Sequence, residues 1–132
     1  MSAVVAAGCI ARHAEPALSI DEAARSYVRL ALALGDRDED SLDGYHGPPA
    51  WQAEVQREHL TLTEIRRRAT ALANALSAER NAATTDAAAR REFLTAQLSA
   101  ISARIDILQG ARPSFADETR ALFGLDNGDT AA

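Results

Sequence analysis

Two lines of apolar residues, each rising in alternating three- and four-residue steps, restrict this chain more than any other feature of it. Leu62, Ile65, Ala69, Leu72 and Leu76 form the first, and Leu94, Leu98, Ile101, Ile105 and Leu108 form the second. Because 3.6 residues complete an α-helical turn, such spacing places each set on one stripe of a helix. A strand needs alternation by two, and no useful run of that kind occurs. The connector Asn81-Ala-Ala-Thr-Thr85 is too short for anything but a reversal. The expected fold class is therefore all-α, built on an antiparallel long helical hairpin of about 62–80 and 86–109.

Helix punctuation supplies the cover. Ser19-Ile-Asp-Glu22 is a capping box, and Gly35 suits a left-handed stop, so a helix is expected over about 20–34 with Ala24, Tyr27, Leu30, Ala31 and Leu34 inward. Asp36 is placed to cap a short helix over about 37–45. Pro48 and Pro49 break it, and Pro49 opens another over about 49–57 carrying Trp51 and Val55. Thr61 and Glu64 make a second capping box. Thr85 with Asp86 starts the longest helix, Gly110 ends it, and Pro113 prevents resumption. Ser114 with Asp117 begins a last helix over about 115–123, closed by Gly124. At roughly 1.5 Å per residue the longest helix reaches roughly 36 Å, more than its neighbours can cover. Part of the seam Leu94, Leu98, Ile101, Ile105 and Leu108 is therefore expected to serve as an interface.

Residues 19–124 read as a single helical domain and 125–132 as a flexible tail. Residues 1–18 read as a disordered leader or the remnant of a lipoprotein signal. Ala6-Ala-Gly-Cys9 approximates a lipoprotein cleavage box, yet no Arg or Lys precedes Cys9. Two readings stay open. In one, an upstream signal is lost, Cys9 is the lipidation site, and the protein is a periplasmic or cell-envelope lipoprotein; in the other, Cys9 is ordinary and the chain as written is cytoplasmic. Membrane attachment is expected only through a lipidated Cys9, since no run approaches the roughly 18 apolar residues of a spanning helix.

The charge pattern narrows the partners. All fourteen basic residues are Arg, and nineteen acidic residues leave a net charge of -5, which argues against non-specific attraction to nucleic acid. Much of the 47% apolar content is Ala, which favours helix but buries little area. A thin core of this kind makes a partner surface worth expecting.

The chain is poor in catalytic patterns. Asp36, Asp38 and Asp40 occupy positions 1, 3 and 5 of a calcium loop, but Ser41 replaces its Gly and Gly47 its final Glu. His13, His46 and His59 have no second ligand at helical spacing, and His46 is expected to pack or hydrogen-bond within its turn. Hydrolase-elbow and phosphate-loop patterns are missing. Arg66, Arg67 and Arg68 point about 100° apart on a helix, so they wrap it rather than form one basic face, with pairs such as Glu64 to Arg68. No catalytic, cofactor-binding or metal residue is assigned.

The rigid residues gather in Leu42-Asp-Gly-Tyr-His-Gly-Pro-Pro-Ala-Trp51. Tyr45, Gly47, Pro48, Pro49 and Trp51 are expected to form a structural turn whose two rings cover an Ala-rich seam. The sharper alternative is an aromatic ligand cradle.

That turn, with "FLTAQL" at 93–98 and "SFADETRALF" at 114–123, resembles the N-terminal helical region of an uncharacterised bacterial all-helical family similar to zinc carboxypeptidases. The resemblance spans about residues 19–125. It implies zinc only for the full-length family, whose His-Glu metal motif lies downstream of anything present here, so no catalytic residue carries over. It implies a non-catalytic, truncated portion of a larger zinc-peptidase-like protein, whose partner is the missing C-terminal catalytic region. The alternative is a stand-alone interaction module, pairing its seam with a helical protein partner or in a homo-oligomer.

Overall fold

The computed structural model describes residues 17–79, 84–112 and 114–124. Cys9, the leader before residue 17, Pro113 and the tail over 125–132 lie outside the described residues. Among the described residues five α-helices follow in order: α1 (Ile20–Gly35), α2 (Pro49–Glu58), α3 (Leu62–Ala78), α4 (Thr85–Leu108) and α5 (Phe115–Phe123). No strand occurs among the described residues.

The helix starts follow side-chain capping. Ser19 accepts from the Glu22 amide while Glu22 reaches back to the Ser19 backbone, the complete reciprocal box. Thr61 likewise accepts from the Glu64 amide at 3.2 Å, but the Glu64 carboxylate turns to Arg67 instead of closing the box. Thr84, one residue earlier than expected, caps α4 through the Ala87 amide, and Ser114 caps α5 through that of Asp117.

Two expected punctuation points are corrected. The helix expected over 37–45 is a single 3-10 turn, Glu39–Ser41. Asp38 directs its carboxylate to Ser41 and Arg104, and the acidic, Gly-containing segment beyond it has little helix propensity with which to extend the turn. Gly35 lies inside α1 and is followed by Asp36 in right-handed geometry. It is wanted for closeness, because a Cβ there would meet the Leu42 Cβ at 3.0 Å. The left-handed stops are Gly110 (φ 101°), Gly124 (φ 62°) and, without a glycine, His59 (φ 51°).

Three helices carry the core. α3 and α4 pack antiparallel: Thr63 meets Gln109 at 3.2 Å and Arg66 grips Asp106 at 2.6 and 3.1 Å, whereas Leu76 and Ser77 lie beside Ala88 and Arg91. α1 runs parallel to α4. Asp21 binds Arg90 at 2.8 Å, Tyr27 contacts Gln97 at 3.4 Å, and Asp38 binds Arg104 at 2.7 Å, each pair further along both segments. α2 packs on α1, and α5 folds back on α4.

The buried apolar residues form one cluster drawn from α1, α2, α3 and α4. Among the described residues, its large fully buried side chains are Ile65, Leu76, Leu98 and Ile105. Each contributes about 1.5–3 kcal/mol of transfer free energy, so the core is held by few large groups. α1 is buried more widely than one line predicts, with Ala23, Leu32 and Ala33 joining Leu30 and Leu34, because α2, α3 and α4 surround it.

Candidate functional site

The expected interface seam is inside the chain. Leu94, Leu98, Ile101 and Ile105 are 0 to 7% exposed, enclosed by α1 on one side and α3 on the other. Length arguments alone left this seam uncovered, but α1 and α3 both lie along α4 and close over it. Leu108, at the helix end, is the one seam residue that remains 38% exposed.

The exposed apolar surface lies elsewhere. The chain has three phenylalanines, and all of them face solvent: Phe93 is 60% exposed, Phe115 82% and Phe123 70%. With about 200 Å² on each side chain, the three rings together expose on the order of 400 Å² of apolar surface. Seam spacing does not reveal them. Phe93 precedes the seam residue Leu94, which turns it about 100° away from the core stripe. The legible signal is a second, weaker line on α4, Phe93, Gln97, Ala100, Arg104 and Ile107, which α5 covers in part.

α5 has nine residues against twenty-four in α4. Its last turn reaches the level of Gln97 and Ala100, leaving Phe93 beyond its end. Between α1, α4, the 3-10 turn and α5 lies a groove of about 470 Å³. Tyr27, Ala31 and Leu42 form one wall, Leu122 and Phe123 the other, and Asp40, Gln97 and Arg104 its polar part. The Tyr27 hydroxyl is pushed up from its ordinary pKa by burial, so it stays a neutral hydrogen-bonding group there.

Arg104 fixes one end of the groove. Its Nε donates to Asp38, whose side chain is only 10% exposed. The Arg104 hydrogen bond and then the Ser41 hydroxyl hold the Asp38 carboxyl below the usual carboxylate range. Arg104 in turn is raised by that bond, with Asp40 and Glu118 adding to the effect. Arg104 is thus paired with Asp38, and Asp40 lines the same groove.

The expected turn has a definite geometry. The Tyr45 hydroxyl donates to the Pro48 carbonyl at 3.2 Å, and its ring lies against Gly47, where a Cβ would come within 2.6 Å of the ring Cε2. Trp51 is half-buried on the first turn of α2, with the Arg29 guanidinium 5.4 Å from its ring centroid. Arg29 also binds Glu54 at 3.0 Å, so the turn clamps α2 to α1. His46 is exposed rather than packed within the turn. Arg37 donates to the carbonyls of His59 and Leu60 at 3.0 and 2.9 Å, securing the link between α2 and α3.

Several of the remaining charged groups pair on the surface, whereas the buried Arg91 Nε has no hydrogen-bond partner. Arg66, Arg67 and Arg68 reach Asp106, Glu64 and Glu58 respectively, three directions from one helix. Arg68 approaches Glu64 only at 3.9 Å. Asp36 faces His59 Nδ1 at 3.7 Å, and no three His, Cys, Asp or Glu side chains among the described residues assemble into a metal-binding group. No described helix is long and apolar enough to cross a membrane. No family model matches the sequence, and neither a curated protein nor a solved structure matches it.

Proposed function

We propose that this chain is a non-catalytic helical docking domain that engages a helical partner through the groove and phenylalanine face of α4 and α5. The exposure of all three phenylalanines, above a core made of Ala, Leu, Ile and Val, carries the reading. A chain that needed bulk for its own stability would turn those rings inward, where each would bury more than any residue it now uses. Helix-in-groove recognition uses surfaces of this kind.

The resemblance to the zinc-carboxypeptidase-like family supports a specific form of the reading, in which the partner is the C-terminal part of a larger zinc-peptidase-like protein. In that form, metal chemistry belongs to the partner and these helices position and cover it. Self-association, the alternative form, draws on the same exposed surface.

Sedimentation and thermal melting of the purified chain across a hundredfold concentration range distinguish the forms. The docking reading expects a monomer with a concentration-independent melt and an apolar dye bound through Phe93 and Phe123. A melt that rises with concentration favours the self-pairing module. A monomer that binds no dye, with the Phe93→Ser, Phe123→Ser variant behaving identically, contradicts docking at this face.

A further inference from the structure

We infer that the cavity at the Leu76 end of the α3 and α4 pair is a binding site for a free aliphatic α-amino acid, whose carboxylate takes Arg91 and whose ammonium takes Glu79 and Glu92. This cavity shares no lining residue with the groove between α1 and α5, so the site is independent of the docking proposal.

The starting observation is an unmet donor. Arg91 is partly exposed, yet its Nε is shut from solvent and has no hydrogen-bond partner. Arg66, Arg68, Arg90 and Arg104 each reach a carboxylate, whereas among the described residues the Arg91 side chain reaches none. A buried donor without an acceptor carries its full desolvation cost, which makes the packed position of this guanidinium a poor one. Its other two nitrogens are not shut away. A ligand carboxylate that meets them can draw Nε out into a forked pair, and no existing bond is given up in exchange.

The surroundings of Arg91 select a zwitterion. The cavity holds about 670 Å³, room enough for a molecule of amino-acid size, and Leu76, Ala88 and Ala96 make its apolar part. Glu79 and Glu92 line it as well, and among the described residues neither is paired with Arg91 or with another cation. Opposite charges therefore face one cavity without meeting. A simple anion gains Arg91 but is repelled by both glutamates, and a simple cation has the reverse defect. An α-amino acid carries both charges on neighbouring atoms and answers both sides, with its side chain left for the apolar part. Glu79 follows directly on α3, whose last turn contains no basic residue, so the negative end of that helix favours the ammonium at the same place.

The test compares L-leucine with two molecules that carry the same branched chain: isocaproate, which lacks the ammonium, and isoamylamine, which lacks the carboxylate. Each is titrated into the full chain while the arginine Nε–H resonances are followed by NMR, with Arg91 assigned through the resonance lost in Arg91→Lys. Ligand-observed saturation transfer follows binding in the variants. The inference expects leucine to move the Arg91 resonance and to bind at least about tenfold more tightly than either analogue. Arg91→Met should abolish leucine binding. Arg91→Lys keeps the charge and most of the stem but cannot offer a forked pair, so it should weaken leucine severalfold. Glu79→Gln with Glu92→Gln should bring leucine down to the level of isocaproate.

Equal affinity for leucine and isocaproate in the unaltered chain overturns the inference, because the glutamates then take no part. Leucine binding that survives Arg91→Met overturns it by removing the carboxylate's partner. An Arg91 resonance that leucine leaves in place overturns it too, since the donor is then met by nothing larger than water. Circular dichroism of each variant verifies that the helices persist.

Discussion

Replacing Gly47 with Ala tests the turn through a coupling rather than a loss. Gly47 does not hold a left-handed conformation, so its backbone tolerates a side chain. The new Cβ would collide with the Tyr45 ring, reaching within 2.6 Å of Cε2 and closer still to Cζ and the hydroxyl. Those atoms are the free end of a side chain, so the ring swings out instead of the backbone breaking. The cost is the contact that the ring makes now. A half-buried tyrosine withdraws on the order of 100 Å² from water, worth about 2 kcal/mol at 25 cal/mol per Å² after allowing for partial re-docking. The exposed bond to the Pro48 carbonyl adds little. Thermal melts by circular dichroism should therefore fall by about 5–10 °C. Tyr45→Ala alone should cost a similar amount. In the Tyr45→Ala background, Gly47→Ala should cost nothing or stabilise by about 0.5 kcal/mol, since the unfolded chain loses freedom and no ring remains to displace. The double-mutant cycle should thus show a coupling of about 2 kcal/mol. Additive losses would refute the reasoning, because Gly47 would then serve something other than room for the ring.

Other perturbations separate the remaining contributions. Leu98→Ala empties a fully buried site in a core with few large side chains and should cost about 3–5 kcal/mol in denaturant unfolding, enough to threaten folding outright. Gly110→Ala forces a side chain into φ 101° with no clash around it, so a loss of about 1–2 kcal/mol should come from backbone strain alone. Asp38→Asn removes the better-buried ion pair and should cost about 2 kcal/mol at neutral pH. The same carboxyl sets an acid dependence. Its folded pKa lies below the ordinary value, chiefly through the Arg104 hydrogen bond, and that of Asp106 does so through Arg66. Their stabilisation is present above the usual carboxylate range and disappears as pH falls through it toward the folded values. Urea midpoints measured from pH 7 to 2 should decline below about pH 5, less steeply in Asp38→Asn.

The elements that the sequence made legible are those fixed locally. Capping side chains at Ser19, Thr61 and Ser114 and apolar steps of three and four specify where helices start and which stripe is buried, because both depend on neighbours within one turn. The segment after Gly35 was less legible. Asp36 was expected to cap a helix there, whereas Asp38 precedes a single turn and pairs with Arg104, sixty-six residues away, which no local pattern contains. The seam was expected to be exposed for a related reason. Periodicity shows that Leu94, Leu98, Ile101 and Ile105 are buried without showing by what, and α1 and α3 between them supply the cover. Phe93 opens a second, weaker line on α4, but that line does not show its exposure, which follows from where α5 ends on α4. Tyr45 over Gly47 lies between these cases. Their nearness in sequence signals a turn, but only the folded geometry shows the ring occupying the space of the missing side chain.

Docking at this face requires the three phenylalanines to be exposed in the free chain. Incorporation of fluorophenylalanine labels them and nothing else, and a soluble paramagnetic agent reports the accessibility of each fluorine resonance in the isolated chain. Three resonances are expected, all strongly relaxed by the agent at concentrations where the chain is a monomer. Protection of Phe93 or Phe123 in the free monomer would show the ring packed within the chain itself, and the docking face would not exist.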